Sequence, residues 1–161
     1  MEKLISRIAL VLLLLVVPFV SWFYLRKGLE YRKALVREVV VKDSVRISED
    51  TLKLLKGKTS VISLAGGIEA NSIISGLYEQ FKEVPRFQIL SSGGRVEDKE
   101  IPSGYFEALA ARYRDNKFIL VDTAGMIRNV YMDGKEDIKK LVEHIAVVLP
   151  RKEEADIKSK R

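Results

Sequence analysis

Residues Ile8 to Leu25 read IALVLLLLVVPFVSWFYL, eighteen positions without a charge. A run apolar on every helical face cannot sit at the surface of a soluble domain, so it sets the first segment apart from the rest. As a helix rising 1.5 Å per residue it spans roughly 27 Å, close to the hydrocarbon thickness of a bilayer. Trp22, Phe23 and Tyr24 gather at one end, where an interface holds amphipathic rings. Pro18 is tolerated in a membrane helix, where neighbouring groups re-satisfy the freed carbonyl. A cleaved signal peptide is the rival reading. Its apolar region would be shorter, and bulky aromatics stand where a small-x-small cleavage site belongs. The expectation is an uncleaved anchor over residues 1–27, with Ile8, Pro18, Trp22 and Leu25 in the bilayer.

The formal charge of +6 is unevenly distributed. Arg26, Lys27, Arg32, Lys33 and Arg37 crowd behind the anchor, residues 38–150 nearly balance, and residues 151–161 are again basic. A nucleic-acid binder would carry its basic stripe on the folded domain, so nucleic acid is not expected as a partner. Residues 28–38 read as a basic linker helix in solvent. A sharper reading makes its cations a collar on anionic lipid, worth about 1 kcal/mol each. These cations outnumber Lys3 and Arg7 on the other flank, which by charge alone would put the following domain in the cytoplasm. The absence of cysteine removes disulfides, thiol nucleophiles and thiolate metal sites.

The domain proper is expected over residues 39–150. Val39 to Val41 and Ser44 to Ile47 read as short lead-in strands, and Ser48 as the cap of a helical turn through Leu55. Ser60 to Leu64 is a β-branched apolar run broken by Gly66-Gly67. From Ile68 a helical period follows through Ala70, Ile73, Ile74, Leu77, Phe81 and Val84. Phe87 to Leu90 is a second strand, and Ser91-Ser92-Gly93-Gly94 opens a polar loop reaching Pro102. Tyr105, Phe106, Leu109 and Tyr113 mark a second helix. Lys117 to Asp122 and Met126 to Met132 form a hairpin about Thr123-Ala124-Gly125. Asp133 with Glu136 reads as a capping box for a last amphipathic helix that Pro150 stops. Residues 151–161 hold almost nothing to bury and read as a disordered tail. Strand, helix, strand, helix, strand, strand, helix is a thioredoxin-like order: an α/β domain, its central mixed sheet flanked by helices, behind one transmembrane helix.

Three stretches resemble the Sco/SenC family of membrane-anchored thioredoxin-fold copper chaperones of cytochrome oxidase. They are DSVRISEDTLKLLKGKTSVIS, SGLYEQFKEVPRFQILS and, most specifically, KFILVDTAGMIRNVYMDGKEDIKKLVEHI. The resemblance implies two cysteines four apart after the first core strand and a histidine before the closing strand. Here Gly66 and Ala70 stand at the first two places and Arg114 near the third. Copper(I) needs soft ligands, and these side chains supply none. The resemblance therefore implies a degenerate member with no cofactor and no catalysis. It would be an accessory or assembly component of a respiratory membrane complex, its domain on the periplasmic side of the inner membrane. That location conflicts with the charge rule.

Other chemistry is sparse. Met126, Met132 and His144 could hold copper without thiolates, which is the alternative function. The methionines also suit sheet packing, and a lone histidine beside the apolar stripe of a helix suits the surface. Glu69 has a structural reason at a helix N-terminus. Asp122 and Asp133 read as turn and cap residues. An enzyme is a third class, for which the chain offers no nucleophile–base pair. The surface expected to meet a partner is Gly66, Gly67, Ile68, Glu69 and Ala70, together with Arg112, Arg114 and Asn116.

Overall fold

A computed structural model describes the chain over residues 2–40, 48–64, 66–92 and 99–150, with side chains from Leu12 onward. The expected strand at 44–47, the end of the Val39–Val41 run, the Gly93-Gly94 pair and the 151–161 tail lie outside the described residues. Within them, α1 runs from Glu2 to Glu38 with Pro18 inside it. Anchor and linker are thus one helix. Gly28 is the obvious interruption, and a single helical glycine costs only about 1 kcal/mol against alanine. The helix is long and apolar enough to cross a membrane. Its large apolar side chains from Leu12 to Leu25 are exposed. The chain then divides into two compact units between Arg37 and Glu38. Val39 forms no strand: it sits buried in the turn that ends α1, and Val40 is exposed.

In the second unit, α2 (Glu49–Leu55) starts at Ser48, whose Oγ accepts the Thr51 N–H at 3.3 Å. Strand β1 (Thr59–Ser63) is buried at every residue, as a central strand must be. It leads to α3 (Ile68–Phe81), β2 (Phe87–Ser91), β3 (Lys99–Glu100) and α4 (Ser103–Arg112). The hairpin β4 (Phe118–Val121) and β5 (Ile127–Tyr131) and the helix α5 (Lys135–Val148) complete it. Sheet order is β3-β2-β1-β4-β5. Parallel pairing joins β1 to β2 and β2 to β3, whereas β4 runs antiparallel to both β1 and β5. β3 was expected as loop. Its two charged residues pair with Leu90 and Ser91, and a strand so short carries no apolar alternation to read.

Alternation along the strands sends side chains to two cores. Val61, Ile89, Phe118 and Leu120 pack with Ile74 and Leu77 of α3 and Leu141 and Ile145 of α5. Ile62, Leu90, Ile119 and Val121 pack on the other face with Leu55 of α2 and Leu109 of α4. Each such side chain contributes about 1.5–3 kcal/mol on burial. A parallel β1–β2 pair closed by an antiparallel hairpin, with helices on both faces, is the thioredoxin-like arrangement. The expected capping box is absent. The N-cap of α5 is Gly134, with no side-chain bond, one residue later than the box requires. Asp137, at the third helical position, makes the reach-back instead, its Oδ2 accepting the Met132 N–H at 3.1 Å.

Candidate functional site

Two backbone bonds tie three connections to one end of the sheet. The Leu64 N–H donates to the Lys117 carbonyl at 2.9 Å, and the Lys117 N–H donates to the Tyr131 carbonyl at 2.8 Å. The β1–α3 turn, the α4–β4 loop and the β5–α5 turn therefore emerge side by side. Residues distant in sequence meet here because β1 ends where its antiparallel neighbour β4 begins, with Ser63 opposite Phe118.

Of the expected surface residues, Gly66, Gly67, Ile68 and Glu69 are exposed, and Ile68 is 88% so. Ala70 is not available to a partner: it is buried in the core with Ile74 and Val61. The periodicity that begins at Ile68 already placed it on the inward face. Gly67 is the N-cap of α3 with φ +120° and ψ 172°, a conformation essentially confined to glycine. A Cβ at Gly66 would meet nothing within 4 Å, and neither would one at Gly67, so only backbone conformation separates the two. Arg112 lies in the last turn of α4 and Arg114 in the loop beyond it, both exposed. Asn116 is half-buried, its N–H donating to the Tyr113 carbonyl at 2.9 Å. Glu69 occupies the first turn of α3, where the helix dipole favours a carboxylate.

The methionine–histidine alternative does not converge. Met126 and Met132 bracket β5, six residues apart along an extended strand, which separates their Cα atoms by about 20 Å. Met132 is half exposed and fills no sheet packing. His144, expected at the surface, is fully buried. It lies three residues after Leu141 and one before Ile145, inside the apolar stripe rather than beside it. Its Nδ1 is hydrogen-bonded to the Tyr131 hydroxyl at 2.7 Å, and its Nε2 lies 3.5 Å from Glu38 Oε2 without forming a hydrogen bond. Burial pushes the His144 pKa down, against the opposing pull of Glu38. Tyr131, His144 and Glu38 have the outline of a nucleophile–base–acid relay. But burial also pushes the Tyr131 hydroxyl well above its usual pKa, so it is no nucleophile. Tyr131 and His144 form a buried core contact, with the half-exposed Glu38 at its edge and Nε2 left without a hydrogen bond.

Asp122 does more than turn the hairpin. Its Oδ1 accepts the Ala124 and Met126 N–H groups, both at 2.9 Å, and its Oδ2 takes Arg128 Nε at 2.7 Å and Nη2 at 2.6 Å. An open depression of about 660 Å³ between α2, β3 and α4 is lined by Asp50, Leu54, Ser92, Glu100, Phe106 and Glu107, among others. Sequence gave no sign of it, since β3 forms one wall. Among the described residues no three His, Asp or Glu side chains converge as a metal set.

Fold and site together define a thioredoxin-like domain whose turn after the first core strand lacks thiols, carried behind one apolar helix. No known family profile matches the sequence, and no curated protein does. Among solved structures, a SCO1/SenC family lipoprotein from Bacillus anthracis str. Ames is similar, with 11% identity and a TM-score of 0.38. The match covers 60% of this chain and 84% of that one. At that score the likeness adds nothing further, and the fold rests on strand order and direction.

Proposed function

We propose that this chain is a membrane-tethered, Sco-like docking protein without redox or copper chemistry, an accessory or assembly component of a respiratory membrane complex. The supporting observation is the exposed, cysteine-free Gly66–Glu69 turn, tied through Leu64 and Lys117 to the loop carrying Arg114. In a thioredoxin-like fold this end of the sheet is where thiols would meet a partner. Without them, a protruding Ile68, with Arg114 exposed on the adjoining loop, still offers a surface to another protein. The respiratory setting and the periplasmic side rest on the resemblance of the three quoted stretches. The α1 helix supports a membrane tether, which raises the local concentration of the domain near membrane partners.

The test is co-purification in mild detergent with Ile68→Asp and Gly66→Trp variants. Both positions are exposed, and Gly66 has open space for a side chain. The expected result is loss of the co-purifying complex with an unchanged domain melting temperature. Retention of the complex by both folded variants would move the interface elsewhere. A one-to-one copper(I) complex that survives a competing chelator would favour the metal carrier instead.

A further inference from the structure

We propose that α1 carries a binding site for one anionic phospholipid where it leaves the bilayer, built on the notch at Gly28. This rests on the reading that α1 crosses a membrane. A groove of about 450 Å³ runs along one helix face there, lined by Tyr24, Leu25, Gly28, Leu29 and Arg32. Tyr24, Gly28 and Arg32 are successive members of an i, i+4 row, so they stack along the axis, with Leu25 and Leu29 in the adjoining row. Gly28 leaves the row open between an aromatic ring and a guanidinium, and nothing lies within 4 Å of where its Cβ would be.

The height of the notch suits a headgroup. Leu25 is the last residue of the uncharged run, and Gly28 to Arg32 lie about 4–10 Å further along the axis. That interval matches the polar layer outside the hydrocarbon. Long helical side chains lean toward the helix N-terminus, which here points into the membrane. Lys27 shows that lean, its Nζ lying 4.6 Å from the centroid of the Phe23 ring one turn below. Arg32 leaning the same way brings its guanidinium over the Gly28 notch.

Charge completes the site. Arg26 is engaged by Glu30 at 3.3 Å, and Lys27 sits over Phe23. Arg32 and Lys33 form no ion pair among the described residues, which leaves two cations for a lipid phosphate. A guanidinium binds phosphate through two parallel N–H donors, as an ammonium cannot. Leu25, 74% exposed at the end of the uncharged run, gives the top of the acyl chain an apolar wall continuous with the anchor, and Leu29 flanks the headgroup. A second copy of the helix fits less well, since a parallel pair meeting at this face would bring two Arg32 side chains together.

The experiment uses the full chain reconstituted into phosphatidylcholine vesicles with and without phosphatidylglycerol. Flotation in phosphatidylcholine alone reads membrane insertion, and failure there overturns the anchor reading and this proposal with it. The lipid retained after mild-detergent extraction from mixed vesicles is then weighed by mass spectrometry. Enrichment of phosphatidylglycerol by about fivefold over the bulk ratio is expected, as one cation near an anionic lipid supplies. Arg32→Gln and the notch-filling Gly28→Leu should each sharply lower the enrichment, leaving only the diffuse attraction of the other cations, whereas Arg37→Gln, about one and a half turns beyond the groove, should not. Equal losses in all three variants, or no enrichment in the parent, would overturn the proposal in favour of diffuse charge attraction.

Discussion

His144 is the only histidine in the chain, and so the only side chain whose ordinary pKa lies near neutrality. In the fold it is fully buried, with Nδ1 2.7 Å from the Tyr131 hydroxyl and Nε2 3.5 Å from Glu38 Oε2. Desolvation lowers its pKa below the ordinary 6.5, with Glu38 and Glu143 opposing and Lys140 assisting. The unfolded chain therefore binds the proton at a pH where the folded one does not. Stability is full above the unfolded value of 6.5 and declines as the pH falls below it, levelling once the folded ring also protonates. Chemical denaturation of the domain that follows α1 at pH about 7.5 and about 5.5 should show a lower midpoint in acid, and His144→Phe should flatten that difference. A midpoint that holds or rises in acid would mean that Glu38 prevails over burial.

At the scale of elements, the β4–β5 hairpin depends on one carboxylate. Gly125 takes φ +83°, which the turn reserves for glycine, and Asp122 gathers two N–H groups of that turn together with Arg128. The Asp122 side chain is 7% exposed and that of Arg128 32%, so water replaces little of this contact. Asp122→Ala strands two N–H groups and a guanidinium. It should cost about 3 kcal/mol in urea denaturation, within the range for losing one partner of a buried, hydrogen-bonded charge pair. A loss below about 1 kcal/mol would show that the turn is held by its backbone alone. The neighbouring connection behaves differently. At Gly67 the backbone itself excludes other residues, so a bulky substitution there confuses folding with docking, and Gly66 is the position to change.

For the whole molecule, the decisive question is whether α1 stays. It is one helix from Glu2 to Glu38, about 55 Å long, longer than the hydrocarbon layer needs. The excess carries the cluster Arg26 to Arg37, which keeps one end in water or headgroups. Mass spectrometry of the mature protein from membranes should find residues 1–25 intact and the protein resistant to carbonate extraction. A soluble product beginning near residue 25 would instead make the run a cleaved signal.

Local chemistry was enough for much of this. The apolar run, the β-branched strands, the Ser48 cap and the glycines that break elements depend on spacing along the chain, and spacing is visible in sequence. The absence of cysteine is likewise plain without coordinates. Tertiary structure alone decided what depends on neighbours from elsewhere. The Leu64–Lys117 bond sets two distant loops side by side. The pairing of Lys99 and Glu100 with β2 turns an expected loop into an edge strand. His144 is buried because the sheet lies against its helix face. Asp137 replaces the expected cap because α5 begins one residue late. Burial, edge pairing and the exact start of a helix are set by competition among long-range contacts, and no window of sequence contains those competitors.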